Sequence, residues 1–222
     1  MDINKELSIL YEQNWKEIQD MRSKNDGLSP PLLMKLPDDY LERDKRLFFI
    51  GQETHSWYNE LERYDVNVLQ ELYRGFIEKE VPIYRSPFWS MVREIVEDIG
   101  TLSNYVAWSN LNRMDLNKKR PKKYEIAMIE KFSMLPKELE ICNPTHIIFF
   151  TGPFYDELIQ KIFPKVKVIG KLNEEFEERQ LTELQIPTIN AKCCRSYHPG
   201  YISHRGKEYK NKVISAIVTF LK

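Results

Sequence analysis

Three short stretches of this chain gather side chains capable of chemistry: Gln52-Glu53-Thr54-His55, Ser109-Asn110-Leu111-Asn112 and Tyr197-His198-Pro199-Gly200. Together they supply a carboxylate, several amides and imidazoles. A carboxylate and an imidazole can move protons, and an amide offers a donor and an acceptor in one plane. The first stretch follows Leu47-Phe48-Phe49-Ile50-Gly51, an apolar run that reads as a buried strand ending in glycine. In open α/β sheets ligands bind outside the carboxyl ends of the strands. If these stretches all close parallel strands, residues far apart in sequence meet on one edge of a sheet.

Each group also has a plainer reading. Gln52 and Glu53 can cap a following helix. Asn110 can be a turn amide bonded to its own backbone. His198 precedes Pro199 and can mark a structural turn. His55 is equally an acid–base group, a phosphate contact or a surface residue. Cys193 and Cys194 read as core rather than as nucleophiles.

The elements that must position these groups alternate. Apolar residues at spacings of three and four predict an amphipathic helix over 3–24, through Ile3, Leu7, Leu10, Tyr11, Trp15, Ile18 and Met21. Further helices are expected over 67–79, 87–100, 124–139, 154–163 and 208–221. Strands are expected over 47–50, 104–109, 146–150, 166–169 and 188–191, with 173–183 an exposed charged helix or loop. Helices alternating with continuously apolar strands imply a three-layer α/β/α sandwich around a central, mainly parallel sheet. A single domain over 1–222 is expected, with 1–45 a helix and loop packed on an α/β core over 46–222.

Of the 222 residues, 42% are hydrophobic and 30% charged, and formal net charge is zero. That balance argues against a protein that coats nucleic acid electrostatically and leaves room for local basic patches. Two basic runs exist, 118–123 and the group His204, Arg205, Lys207, Lys210 and Lys212. Three cysteines, two of them adjacent, make a poor disulfide framework and are too few for a four-thiolate metal site. No apolar run reaches the roughly 20 residues of a membrane helix, and no signal-peptide core is seen. A cytoplasmic location, no membrane partner, no metal and no cofactor are expected.

The ordered set of motifs resembles the uracil-DNA glycosylase superfamily over roughly residues 45–220. That family opens its site with an apolar strand followed by Gly-Gln-Asp-Pro-Tyr or Gly-Glu-x-Pro-Gly; here the sequence is Gly51-Gln52-Glu53-Thr54-His55. Its second strand ends in an asparagine, matched by Asn110. Its third ends in a short Gly-containing turn, matched by Thr151-Gly152. Its late motif is His-Pro-Ser/Gly with an apolar wedge, matched by His198-Pro199-Gly200-Tyr201-Ile202.

The resemblance implies cleavage of an N-glycosidic bond in DNA, at a damaged or deaminated base. Glu53 would steady the developing sugar cation or orient water. His198, joined by the backbone N–H of Gln52, would donate to the carbonyl oxygen of the departing base. Asn110 would read the edge of a flipped base. Ile202, near Tyr201, would fill the gap left in the duplex. Arg205, Lys207 and the 118–123 run would hold phosphates. Phe88, Trp89, Trp57 and Tyr58 are candidates for the ring that stacks on the base. Thr54 and His55 replace the family's Pro and Tyr, and in the resembling enzymes that tyrosine blocks thymine. The iron–sulfur cysteines of some branches are missing.

Two other readings stand beside this one. The chain can keep the fold and bind nucleic acid or a nucleotide-like ligand without cleaving it. It can also be a cysteine hydrolase using Cys194 with His198, a pairing for which no oxyanion site is evident.

Overall fold

A computed structural model describes residues 2–58 and 63–222. Among these residues six strands form one sheet: β1 (Leu47–Glu53), β2 (Ala107–Asn112), β3 (His146–Phe149), β4 (Lys167–Lys171), β5 (Leu181–Gln185) and β6 (Lys192–Ser196). Their spatial order is β2-β1-β3-β6-β5-β4. β1 pairs in parallel with β2 and β3, and β3 with β6. β5 runs antiparallel to both β6 and β4 and extends the sheet on one side.

Among the described residues eight α-helices flank the sheet: α1 (Ile3–Ser23), α2 (Val66–Gly75), α3 (Pro87–Asp98), α4 (Glu125–Phe132), α5 (Leu135–Cys142), α6 (Asp156–Ile162), α7 (Pro199–His204) and α8 (Lys207–Leu221). They pack in two groups, α1 with α2, α4 and α5, and α3 with α7 and α8. The result is the expected three-layer α/β/α arrangement. Among the described residues no helix is long and apolar enough to cross a membrane.

α1 is capped by Asp2, whose carboxylate accepts from the N–H groups of Asn4 and Lys5 at 3.1 Å each. Ile3, Leu7, Tyr11, Ile18 and Met21 are buried on its inner face, each worth about 2 kcal/mol on area grounds. Tyr11 also donates to Glu138 at 2.8 Å, and Glu138 is forked by the Arg113 guanidinium at 3.1 and 3.2 Å. This buried trio ties the N-terminal helix to α5 and to the segment leaving β2.

Several elements differ from expectation, each for a local reason. The helix expected over 124–139 is two helices. Pro136 cannot donate to the carbonyl four residues back and its ring clashes there, so α4 stops at Phe132 and α5 starts afresh at Leu135. The strand expected over 188–191 is a turn, closed by Ile189 N–H to Ile186 O at 2.9 Å. The strands lie on either side of it, as β5 and β6, and β5 takes the end of the segment expected as exposed charged helix or loop. The second strand begins later than expected, because Ser103–Tyr105 forms a 3-10 turn, and then runs on through Asn110 to Asn112.

Candidate functional site

The parallel strands β1 and β2 end side by side, with Gly51 opposite Asn110 and Glu53 opposite Asn112. The end of β6 leads through Tyr197 to His198, which precedes α7. Ser86 caps α3 by accepting from Trp89 N–H at 3.2 Å, with Pro87 in its first turn. That start presents Phe88 and Trp89 to the same space. These elements enclose a cleft of about 390 Å³ whose lining includes Gln52, Glu53, His55, Asn110, Lys118 and His198. The three residues taken from three strand ends, Glu53, Asn110 and His198, therefore line a single cleft.

His198 is oriented by its own helix. Its Nδ1 accepts from the Gly200 N–H at 3.1 Å, so the proton of the neutral ring sits on Nε2. Burial pulls its pKa down to about 4, and the imidazole is neutral near pH 7. It is a one-sided hydrogen-bond donor, with the Phe88 ring 6.3 Å away, centre to centre, and tilted by 32°.

Glu53 sits in a polar chain. Tyr155, on the turn after β3, donates to Glu53 Oε2. The Arg120 guanidinium lies over the Tyr155 ring at 3.9 Å and forks Glu125 at 2.6 and 3.1 Å. Glu125 in turn accepts from Asn112 at 2.8 Å, and Asn112 is the register partner of Glu53. Burial raises the Glu53 pKa; the Tyr155 hydrogen bond and the Arg120 charge oppose that rise, while Glu125 and Asp115 add to it.

Asn110 is 3% exposed, and its Nδ2 has no hydrogen-bond partner among the described residues. It lies inside β2, not in a turn, so the turn-amide reading does not hold. Gln52 and Glu53 belong to β1, and α2 is capped instead by Asp65, which accepts from Val68 N–H at 2.8 Å. Gln52 also lines the cleft, and its Nε2 donates to Thr151 O at 2.7 Å. His55 is exposed at the rim.

The rim loop is held from below by buried Asp115. Its carboxylate accepts from Thr54 Oγ1 at 2.9 Å, Ser56 N–H at 2.8 Å and Lys118 N–H at 2.6 Å. Ser56, Tyr58 and Lys118 are non-glycine residues with positive φ (58°, 45° and 64°), conformations that need such external support.

Compared with known proteins, the chain matches no family model and no curated protein.

Some expected site residues lie elsewhere. Ile202 is fully buried: it is the inward residue of α7 and cannot act as a wedge. Its neighbour Tyr201 is 46% exposed, its ring 4.5 Å from that of Tyr197. Arg205 and Lys207 are exposed but do not line the cleft. Arg120, within the 118–123 run, is occupied by Glu125 and Tyr155. Of the candidate stacking rings, Phe88, Trp89 and Trp57 line the cleft and Tyr58 does not; Phe76, Tyr84 and Trp108 join them.

Cys194 is fully buried within β6 between β3 and β5, and burial raises its pKa strongly. It does not line the cleft, so the Cys194–His198 hydrolase is set aside. Sequence reading missed Tyr155 and Asp115, and took Arg120 for a phosphate contact within the 118–123 run. The Tyr155–Glu53 bond spans 102 residues, and no local pattern announces it. Among the described residues no group of three or more His, Cys, Asp or Glu side chains is gathered to hold a metal.

Proposed function

We propose that the protein is a DNA glycosylase that hydrolyses the bond between deoxyribose and a damaged or deaminated base. The observation that carries this reading is the meeting of Glu53, Asn110 and His198 in one aromatic-walled cleft with a neutral, Nε2-protonated imidazole. The same three residues carry the motif resemblance to the uracil-DNA glycosylase superfamily, with which this reading agrees.

The chemistry follows from what each group can do. A base turned out of the helix enters the cleft against Phe88, with Trp57 and Trp89 also in the wall. His198 donates from Nε2 to a base carbonyl as negative charge develops there, and a neutral donor does this without having to give up its proton. The Glu53 carboxylate faces the sugar, steadying its positive charge and orienting water. The glycosidic bond breaks with its electron pair going to the base, which leaves as an anion held by His198; water then adds at the anomeric carbon, giving its proton to the Glu53 carboxylate, and that proton passes to the released base through solvent. Asn110 reads the base edge. Tyr201, Arg205 and Lys207 are exposed and in this reading would contact the DNA backbone.

The experiment is incubation with oligonucleotides carrying uracil, hypoxanthine, xanthine or a thymine mismatch, followed by alkali. Cleavage at one of these bases is expected. Tight binding with no abasic product for any base would instead support a protein that only binds nucleic acid or a nucleotide-like ligand.

A further inference from the structure

We infer that Tyr155 is a positioning residue for Glu53: its hydroxyl engages one carboxylate oxygen and leaves the other oxygen for the cleft. This rests on the reading of Glu53 as the reacting carboxylate. Glu53 Oε2 accepts from Tyr155, and Glu53 lines the cleft. The tyrosine is itself fixed. It is 5% exposed, and Arg120 stacks on its ring at 3.9 Å while bonded to Glu125. Glu125 returns to Asn112, the residue paired with Glu53 across the strands. The chain of contacts thus starts and ends on the same stretch of β1 and β2, so the carboxylate cannot rotate away without breaking a supported hydrogen bond.

The charged surroundings explain why such a device is useful. Glu125 and Asp115 repel the Glu53 charge, burial penalises it, and the Arg120 charge favours it; His55, Lys118 and His198 face the same cleft. Burial and the two carboxylates favour the neutral form, in which Glu53 can neither balance a sugar cation nor orient water. The Tyr155 O–H acts in the opposite sense, because a hydrogen bond to the charged form favours it.

The test is carboxyl-carbon NMR titration of glutamate-labelled protein, with the Glu53 signal assigned by its loss in Glu53→Gln. Tyr155→Phe keeps the ring and the Arg120 stack and removes only the hydroxyl. The Glu53 midpoint is expected to rise by about one pH unit, the scale of a hydrogen bond to a charged group. Arg120→Gln, which removes the cation instead, is expected to raise it too. A midpoint unchanged in Tyr155→Phe overturns the inference. In the active enzyme the acid limb of the rate–pH profile moves with the midpoint. A shifted midpoint in a protein that cleaves none of the oligonucleotides upholds the role of Tyr155 and removes the glycosylase reading alone.

Discussion

Asn110 occupies the space that a side chain at Gly51 would need: its Oδ1 lies 2.2 Å from where a Cβ on Gly51 would sit. The two residues are register partners on β1 and β2. Glycine is required here by close approach rather than by backbone conformation. It lets the Asn110 amide lie across the first strand at the cleft floor.

Gly51→Ala is therefore expected to displace Asn110 and to destabilise the fold by about 1–3 kcal/mol, the range for overpacking a tight site. Denaturant midpoints measure the cost. A variant as stable as the parent would show that the amide has room to move.

His198 sets a pH dependence of defined sign. Unfolded, it titrates near pH 6.5; folded, burial holds it near 4. Between those values the unfolded chain binds a proton that the folded one does not, so this contribution to stability falls as pH drops from about 6.5 to about 4. His146 is lowered to about 4 as well, first by burial and then by Lys192 and Lys45, and Glu53 works in the opposite sense. The difference between wild type and His198→Gln isolates the one group. Wild type is expected to lose about 1 kcal/mol per pH unit relative to the variant across that window, measured by urea unfolding. Parallel curves would contradict a buried neutral imidazole.

Much of the fold was legible because the helices carry one-sided apolar stripes and the inner strands are continuously apolar. The misses have physical causes. Pro136 breaks a helix whose apolar period continues across it. β5 and β6 escaped because Thr182, Glu183, Lys192 and Arg195 dilute their apolar pattern, and Arg195 is buried only through its bonds to Asp156 and the carbonyls of Glu178 and Arg179. At the site, Glu53, Asn110 and His198 were readable as polar groups at strand ends. Ile202 was not readable as core, since two adjacent apolar residues on a short helix give no sign of which one faces in. Asp115 and Tyr155 act across long sequence separations, which spacing cannot reveal.

Asp115 anchors two turns at once, and its removal leaves the Ser56 and Lys118 amides without an acceptor. Asp115→Ala is expected to cost about 1–3 kcal/mol, from part-buried donors left without an acceptor and a lost polar cluster. Hydrogen exchange is the sharper readout, because those two amides should lose protection while β3 keeps its own. Unchanged exchange at Ser56 and Lys118 would show that the rim loop holds its shape without the carboxylate.

All three cysteines are buried, and burial pushes the Cys193 thiol up to about 12. Reagents that need a thiolate should find none in the native protein and three after denaturation. Rapid labelling of the native protein, or loss of activity on labelling at Cys194, would revive a thiol mechanism.

The central claim is that Glu53 and His198 act together on a glycosidic bond. Its most direct measurement is single-turnover release of the free base from a cleaved oligonucleotide by wild type, Glu53→Gln and His198→Ala. Wild type should release one base per abasic site. Each variant should be slower by about 10²–10³-fold, the cost of removing one group that stabilises charge in the transition state, with DNA binding little changed. Base release by either variant at the wild-type rate would contradict the account.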